Sequence, residues 1–340
     1  MAFFSFLFFA LFSAGTAHGQ VLHFQPTDKS LGAVPVNVPP IAQVVRYLSQ
    51  ISQLNKAVPL TPFGSALVFA EVQDIAPFNR NGKIITQGGY CSATLIGPRI
   101  GKTAAHCFSS DGKTVNTSWQ FIPVDEFTQP YGAHQITDIW LLETAMQGLR
   151  DGLIPTPDDV ALFRVADIGG MEEDTQDEET GDDDGEEHED DRRRCFGGRR
   201  CSKAAMPVMP LRLGDLLGGA DWGNFVVDVE LPQMVFSIGY PSNLAKGQEQ
   251  MLLSTPTLDV LGGIAARFGS DWGPGASGAP WYTRLGVPAP EQTVRFNQDA
   301  GTVTVFITDS GEVIGGAANW LTSNFQRLWT VACQEAGDCG

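Results

Sequence analysis

Three short stretches of this chain hold the residue types that nucleophilic catalysis uses. His106 lies in Thr103-Ala104-Ala105-His106-Cys107, Asp159 opens Asp159-Val160-Ala161-Leu162-Phe163-Arg164, and Ser277 sits in Gly275-Ala276-Ser277-Gly278-Ala279-Pro280. A serine hydroxyl is a poor nucleophile at its free pKa and needs a neighbouring base. Imidazole titrates in the range that suits such a base near neutral pH. Each stretch also has a plain reading. A histidine beside a cysteine is ordinarily structural, Gly-Ala-Ser-Gly is ordinarily a turn, and Pro157-Asp158-Asp159 is ordinarily a turn with solvated charges. Only the conjunction carries weight, and it requires a fold that brings positions 106, 159 and 277 together.

The elements available for that are short strands. From Ser65 to about Val165, runs such as Ala66–Ala70, Ile84-Ile85 and Ala93–Ile96 alternate with turn signals, and Asn81-Gly82 reads as a hairpin turn between two of them. Residues 206–335 read the same way. The chain has 340 residues, with 38 Gly, 21 Pro and 21 Phe, which favours a loop-rich all-β architecture in two halves over a helical bundle. Between the halves, residues 172–191 hold 14 Asp or Glu and no Lys or Arg, followed by Arg192, Arg193, Arg194, Arg199, Arg200 and Lys203. Such a block cannot bury a core and is read as a solvated loop. It serves as a plain connector, a contact for a basic partner, or a processing or calcium-sensitive segment; Asp182-Asp183-Asp184-Gly185 lacks the ligand spacing of an EF-hand. With this block and its bases set aside, the net charge of −17 falls to 25 acids against 16 bases, or −9. That balance excludes a nucleic-acid-binding face, which needs clustered Lys and Arg.

The ends point to export. Residues 3–12 form an apolar run too short to span a bilayer, followed by small residues up to Ala17-His18-Gly19, so 1–19 reads as a secretory signal and no membrane segment follows. Six cysteines (Cys91, Cys107, Cys195, Cys201, Cys333 and Cys339) fit a secreted protein. They allow 15 pairings, of which three local pairs are the simplest. Asn116-Thr117-Ser118 is a glycosylation sequon. Residues 20–60 are an N-terminal segment or propeptide, with Ile41, Val44, Val45, Leu48, Ile51 and Leu54 at helical spacing. The remaining divisions are 61–165 for the first β unit, 166–205 for the insertion and 206–340 for the second unit with its tail.

Taken in chain order, with Cys91 sixteen residues before Cys107, the His, Asp and Ser stretches resemble the trypsin/chymotrypsin-like serine proteases. Phe121-Ile122-Pro123, Pro130-Tyr131-Gly132 and Ile238-Gly239-Tyr240-Pro241 resemble the glutamyl-endopeptidase-like branch. The resemblance covers roughly 62–165 and 206–330. It implies two antiparallel six-stranded β-barrels with the site between them, and a secreted, monomeric endopeptidase acting on proteins or peptides with no metal or organic cofactor. It assigns His106 as the base, Asp159 as the group holding the imidazole, Ser277 as the nucleophile, and the amides of Gly275 and Ser277 as oxyanion donors, each such donor being typically worth roughly 3–4 kcal/mol. It also implies that a Cys91–Cys107 bridge staples the strands around His106. Asp138-Ile139-Trp140-Leu141-Leu142 mimics the Asp159 stretch and is the competing position for the acid.

Two departures bear on regulation and specificity. Ala276 stands where animal trypsins carry the Asp that binds a freed N-terminus, so that activation switch is absent. The histidines are His18, His23, His106, His134 and His188, none of them in the second unit, so strict glutamate specificity is not expected. Asp271, six residues before Ser277, is a candidate for binding Lys or Arg side chains. Asn319-Trp320-Leu321 is the candidate pocket wall, where Leu321 would narrow the mouth and favour small side chains. The rival reading is a protease-like secreted protein that binds and no longer cleaves.

Overall fold

A computed structural model describes residues 20–25, 63–168 and 211–339, except 87–88, 117, 125–129, 154–157, 219–221, 229–233, 262–264, 284, 286–296, 310–311 and 338. The signal-like run, the helical spacing at 41–54, the acidic insertion with His188, and Cys195 and Cys201 lie outside the described residues. The strands in chain order are β1 (Val21–Phe24), β2 (Gly64–Leu67), β3 (Asn81–Thr86), β4 (Gly89–Leu95), β5 (Ile100–Thr103), β6 (Gln120–Pro123), β7 (His134–Leu142) and β8 (Ala161–Val165). After the insertion come β9 (Val235–Gly239), β10 (Met251–Thr255), β11 (Thr257–Leu261), β12 (Ala265–Gly269), β13 (Pro280–Tyr282), β14 (Asp299–Asp309) and β15 (Glu312–Trp320). The helices are α1 (Ala70–Gln73), α2 (Ala105–Phe108), α3 (Glu143–Arg150), α4 (Leu213–Leu217) and α5 (Ser323–Ala336).

Six antiparallel strands close the first barrel in the order β7-β6-β3-β4-β5-β8, with β8 pairing back onto β7. Closure removes the sheet edges that would otherwise need cover. β1 adds to the outside of the closure at β7, its Val21 opposite Leu142 and its Phe24 opposite Ile139. The barrel interior takes Ile84, Phe121, Ile139, Leu141 and Phe163, all fully buried. The second unit is an eight-stranded sheet, β11-β12-β15-β14-β13-β9-β10-β2, curled into a half-barrel around Leu253, Phe268, Trp272 and Trp281. The chain is all-β in two halves, as the strand pattern implied, and consistent with the double barrel the resemblance implied, though the second unit is an eight-stranded half-barrel rather than a closed six-stranded one.

Local details differ from the sequence reading. Asn81-Gly82 is not a turn but the start of β3. The glycine serves close packing, since a Cβ there would lie 2.1 Å from the Ile122 carbonyl oxygen of β6. β2, within the stretch assigned to the first unit, pairs with β10 of the second sheet. Conversely α4 and α5, late in the chain, pack their apolar faces into the first barrel's core through Leu213, Leu217, Phe325, Leu328 and Ala332. α5 starts at Thr322, whose hydroxyl accepts from the Asn324 amide at 3.2 Å, and ends at Gly337 in the left-handed conformation. A disulfide joins Cys333 in the last turns of α5 to Cys339 beyond its end.

The seam between the two units holds a buried ion pair. Lys102 of β5 reaches across to the Asp299 carboxylate of β14, 2.7 Å away, and to the Thr302 hydroxyl at 3.1 Å. Burial pulls the lysine pKa down and pushes the aspartate pKa up, each against the pull of its partner. β5 leads directly to His106, and β14 follows the Ser277 stretch, so this pair fixes one strand of each half relative to the other.

Candidate active site

His106 sits on α2, a single turn that follows β5. The turn is tied at one end by the Cys91–Cys107 disulfide, with Cα atoms 6.3 Å apart, as the resemblance implied. The sulfurs lie close to the imidazole, but a disulfide offers no thiolate to a metal ion. The first carboxylate candidate, Asp159, comes from the connection between α3 and β8 and is 1% exposed. Its Oδ2 is 2.7 Å from His106 Nδ1, and its Oδ1 accepts the His106 backbone N–H at 2.9 Å. The two contacts fix both ring and backbone of the histidine. Burial lowers the imidazole pKa, but the Asp159 charge and its hydrogen bond outweigh that and hold it above the ordinary value. Nε2 has no hydrogen-bond partner among the described residues.

Asp158 anchors this acid. It adopts positive φ (55°) and accepts from Thr144 of α3 at 2.8 Å, Thr322 at 3.0 Å and Asn324 of α5 at 2.8 Å. The competing Asp138 is not near His106. It lies in β7 and engages His23, Gln25, Thr137 and Arg164 instead.

The Ser277 stretch is a tight loop ahead of β13. Gly275 and Gly278 have φ of +91° and +86°, a region open to glycine at little cost. A Cβ on Gly278 would also lie 2.1 Å from the Ser92 carbonyl oxygen and 3.1 Å from the Ala104 nitrogen, two residues before His106. The serine loop is therefore pressed against the turn that carries the histidine.

The direction of each peptide in this loop follows from its partners. The Pro274 carbonyl accepts from Ser242 N at 2.6 Å, and the Ala276 carbonyl from Ala279 N at 3.0 Å. The Gly275 and Ser277 carbonyls both accept from Ser92 N, at 3.0 and 2.8 Å. Ala276 N donates to Gly273 and Gly278 N to Val303. The N–H groups of Gly275 and Ser277 are left, and neither has an acceptor among the described residues. Because a peptide N–H points opposite its C=O, anchoring the Pro274 and Ala276 carbonyls turns these two donors outward. The Ser277 hydroxyl donates to the Thr304 carbonyl over 3.3 Å, a long and weak bond.

A small, partly open cavity lies beside Ser277. Phe268, Trp272, Ala276, Val303 and Phe306 line it with Gly316 and Ser270, and no charged side chain takes part. None of the four residues expected at a specificity pocket lines it. Asp271 gives its backbone carbonyl to Asn243, while Asn319 is buried in the β14–β15 ladder opposite Thr302. Trp320 stacks on Trp281, and Leu321 joins the first barrel's core. The wall is made earlier in β15, at Gly316, and from β14. Ser92, Asp158 and Thr304 had no signal in the sequence, because each works through contacts with residues far along the chain.

No family model and no curated protein matches the chain. Solved structures do match. A thermostable serine protease, AL20, from an extremophilic microorganism aligns at TM-score 0.51 and 17% identity over 75% of this chain and 96% of its own. A Glu endopeptidase solved with MPD aligns at 0.52 and 17% over 81% and 99%. The protease Anisep from Arthrobacter nicotinovorans aligns at 0.50 and 14% over 75% and 95%. The chain shares the fold of these proteases.

Proposed function

We propose that this chain is a secreted serine endopeptidase using Ser277, His106 and Asp159. The observation that carries this reading is the pair of outward, unpartnered N–H groups on either side of Ala276. Gly275 and Ser277 are half-buried, and two N–H groups left without a protein acceptor beside a serine suit a developing oxyanion. The fold shared with serine proteases and the His106–Asp159 pair add to it.

The chemistry follows from the groups present. The Ser277 oxygen attacks the peptide carbonyl carbon as its proton passes to His106 Nε2. The carbonyl oxygen becomes an oxyanion within reach of the Gly275 and Ser277 amides. The carbon–nitrogen bond then breaks, and His106 returns the proton to the leaving amine, giving an acyl-enzyme. Water repeats the cycle and frees the acid. Asp159 keeps Nδ1 occupied, so Nε2 is the nitrogen that takes the proton. The apolar cavity favours an uncharged side chain on the residue whose carbonyl is attacked. Neither glutamate nor lysine would find an opposite charge among its lining groups.

A fluorophosphonate probe tests the reading. Mature protein is expected to label, and Ser277→Ala to abolish labelling with the fold intact. Folded wild-type protein that stays unlabelled would favour the binding-only alternative. A peptide-library cleavage profile tests the pocket; strong preference for Lys or Arg at the cut site would restore a role for Asp271.

A further inference from the structure

We propose that the Ser92 hydroxyl is a positioning residue that holds the Gly275–Ser277 loop with its two amides aimed outward, an inference that rests on the protease reading above. Ser92 lies in β4 next to the disulfide-bonded Cys91 and is fully buried. Its Oγ donates to the Gly275 carbonyl at 2.8 Å and accepts the Tyr240 N–H at 2.9 Å. Its backbone N–H is shared between the Gly275 and Ser277 carbonyls. One residue of the first barrel thus supplies two donors to one carbonyl and one to another in a loop of the second.

The placement gives the hydroxyl a specific task. The Gly275 carbonyl is the pivot of the loop, since its peptide lies between the two that carry the Gly275 and Ser277 N–H groups. With the hydroxyl in place, that carbonyl is held toward the first barrel and cannot turn to face the cavity. Through Tyr240 the same oxygen is linked to the 240–242 segment, whose Ser242 N–H anchors the Pro274 carbonyl and so directs the Gly275 N–H. Ala276, buried at 3% exposure, packs into the second unit's apolar core. The loop is therefore built from contacts inside the folded barrels, and its assembly involves no ionic partner at position 276.

Ser92→Ala removes one atom and leaves the backbone donor in place. The expected result is a fall in kcat of about tenfold with KM unchanged, smaller than the loss of an oxyanion donor itself. Affinity for a peptide aldehyde, whose adduct with Ser277 places an oxygen at the amides, should fall by the same factor. Affinity for the matching peptide amide should not change. Ser92→Thr keeps the hydroxyl and should recover part of both losses. Unchanged kcat and aldehyde affinity in a folded Ser92→Ala protein would overturn the role, as would parallel loss of aldehyde and amide affinity. A wild-type protein inert to the fluorophosphonate probe would instead overturn the protease reading, and the role of Ser92 with it.

Discussion

The first barrel contains two histidine–aspartate pairs, and they are built differently. In one, His106 presents Nδ1 to Asp159 at 2.7 Å and its Nε2 meets no partner among the described residues. In the other, His23 of β1 lies 2.9 Å from Asp138 through Nε2 and 2.8 Å from Glu335 of α5 through Nδ1, with its ring stacked on Trp140 at 4.9 Å. Both aspartates are buried and both are followed by apolar residues of a strand. The difference lies in what is left over. An imidazole that serves as a base must have one nitrogen held and the other available. His23 has both held, so the pair acts as a clasp joining β1, β7 and α5.

The largest expected contrast is in turnover. Asp159→Asn should lower kcat by about ten-thousandfold, since the amide can donate to Nδ1 and favour the wrong tautomer. Asp138→Asn should leave kcat within about twofold. Steady-state kinetics on a peptide identified by library profiling measures both. If Asp138→Asn proved the more damaging, the assignment of the two pairs would be reversed.

The pH profile sharpens the contrast. His106 must be neutral to accept the serine proton, and Asp159 holds its pKa above the ordinary 6.5. The acidic limb of kcat/KM should therefore lie above pH 6.5, with activity gained as pH rises through it. Asp159→Asn removes the charge that raises the pKa, so the limb should move to lower pH on whatever activity remains. Asp138→Asn should leave the limb where it is.

Stability should show the opposite ranking. Burial alone would raise the Asp138 pKa, but hydrogen bonds from Gln25, Thr137 and His23 and the charge of Arg164 carry it below the usual 3.8. A depressed carboxylate pKa contributes stability above the unfolded value, which is lost as pH falls through the folded one. Asp138→Asn should cost about 2 kcal/mol at neutral pH, because several donors lose a charged acceptor. The deficit relative to wild type should shrink in acid below pH 3.8. Thermal unfolding across pH tests this; a deficit that persists unchanged at low pH would show that shape rather than charge holds the clasp.

The sequence made some of these relations readable and hid others for physical reasons. The disulfide spacing and the short turn around His106 are local, so residues 91–107 were legible as a unit. Asp159 and Asp138 have nearly the same neighbours, and only the chain's path assigns each its histidine. β1 is four residues long, too short for alternation to register, and its partners are more than a hundred residues away. Ser92 is silent for the same reason, since its target carbonyl is 183 positions on. Counting from the family pattern led to Asn319–Leu321 for the pocket wall. The long β14–β15 hairpin instead puts Gly316 beside the serine. Asn81-Gly82 has the composition of a turn but the packing needs of a strand.

The smallest expected effect tests the clasp itself. His23→Ala removes two hydrogen bonds and the stacking on Trp140, yet the side chain is 28% exposed and water can replace part of what is lost. The cost should be about 1 kcal/mol, a fall in Tm of roughly 1–2 °C for a protein of this size. Asp138 would keep Arg164, Gln25 and Thr137, so the loss should be smaller than in Asp138→Asn. The double variant should then lose less than the sum of the two, because the His23–Asp138 contact can be removed only once. Turnover should be unchanged in all three. A His23→Ala protein with normal Tm and depressed kcat would mean that the outer pair, despite having both nitrogens held, communicates with the inner one along β7 and β8.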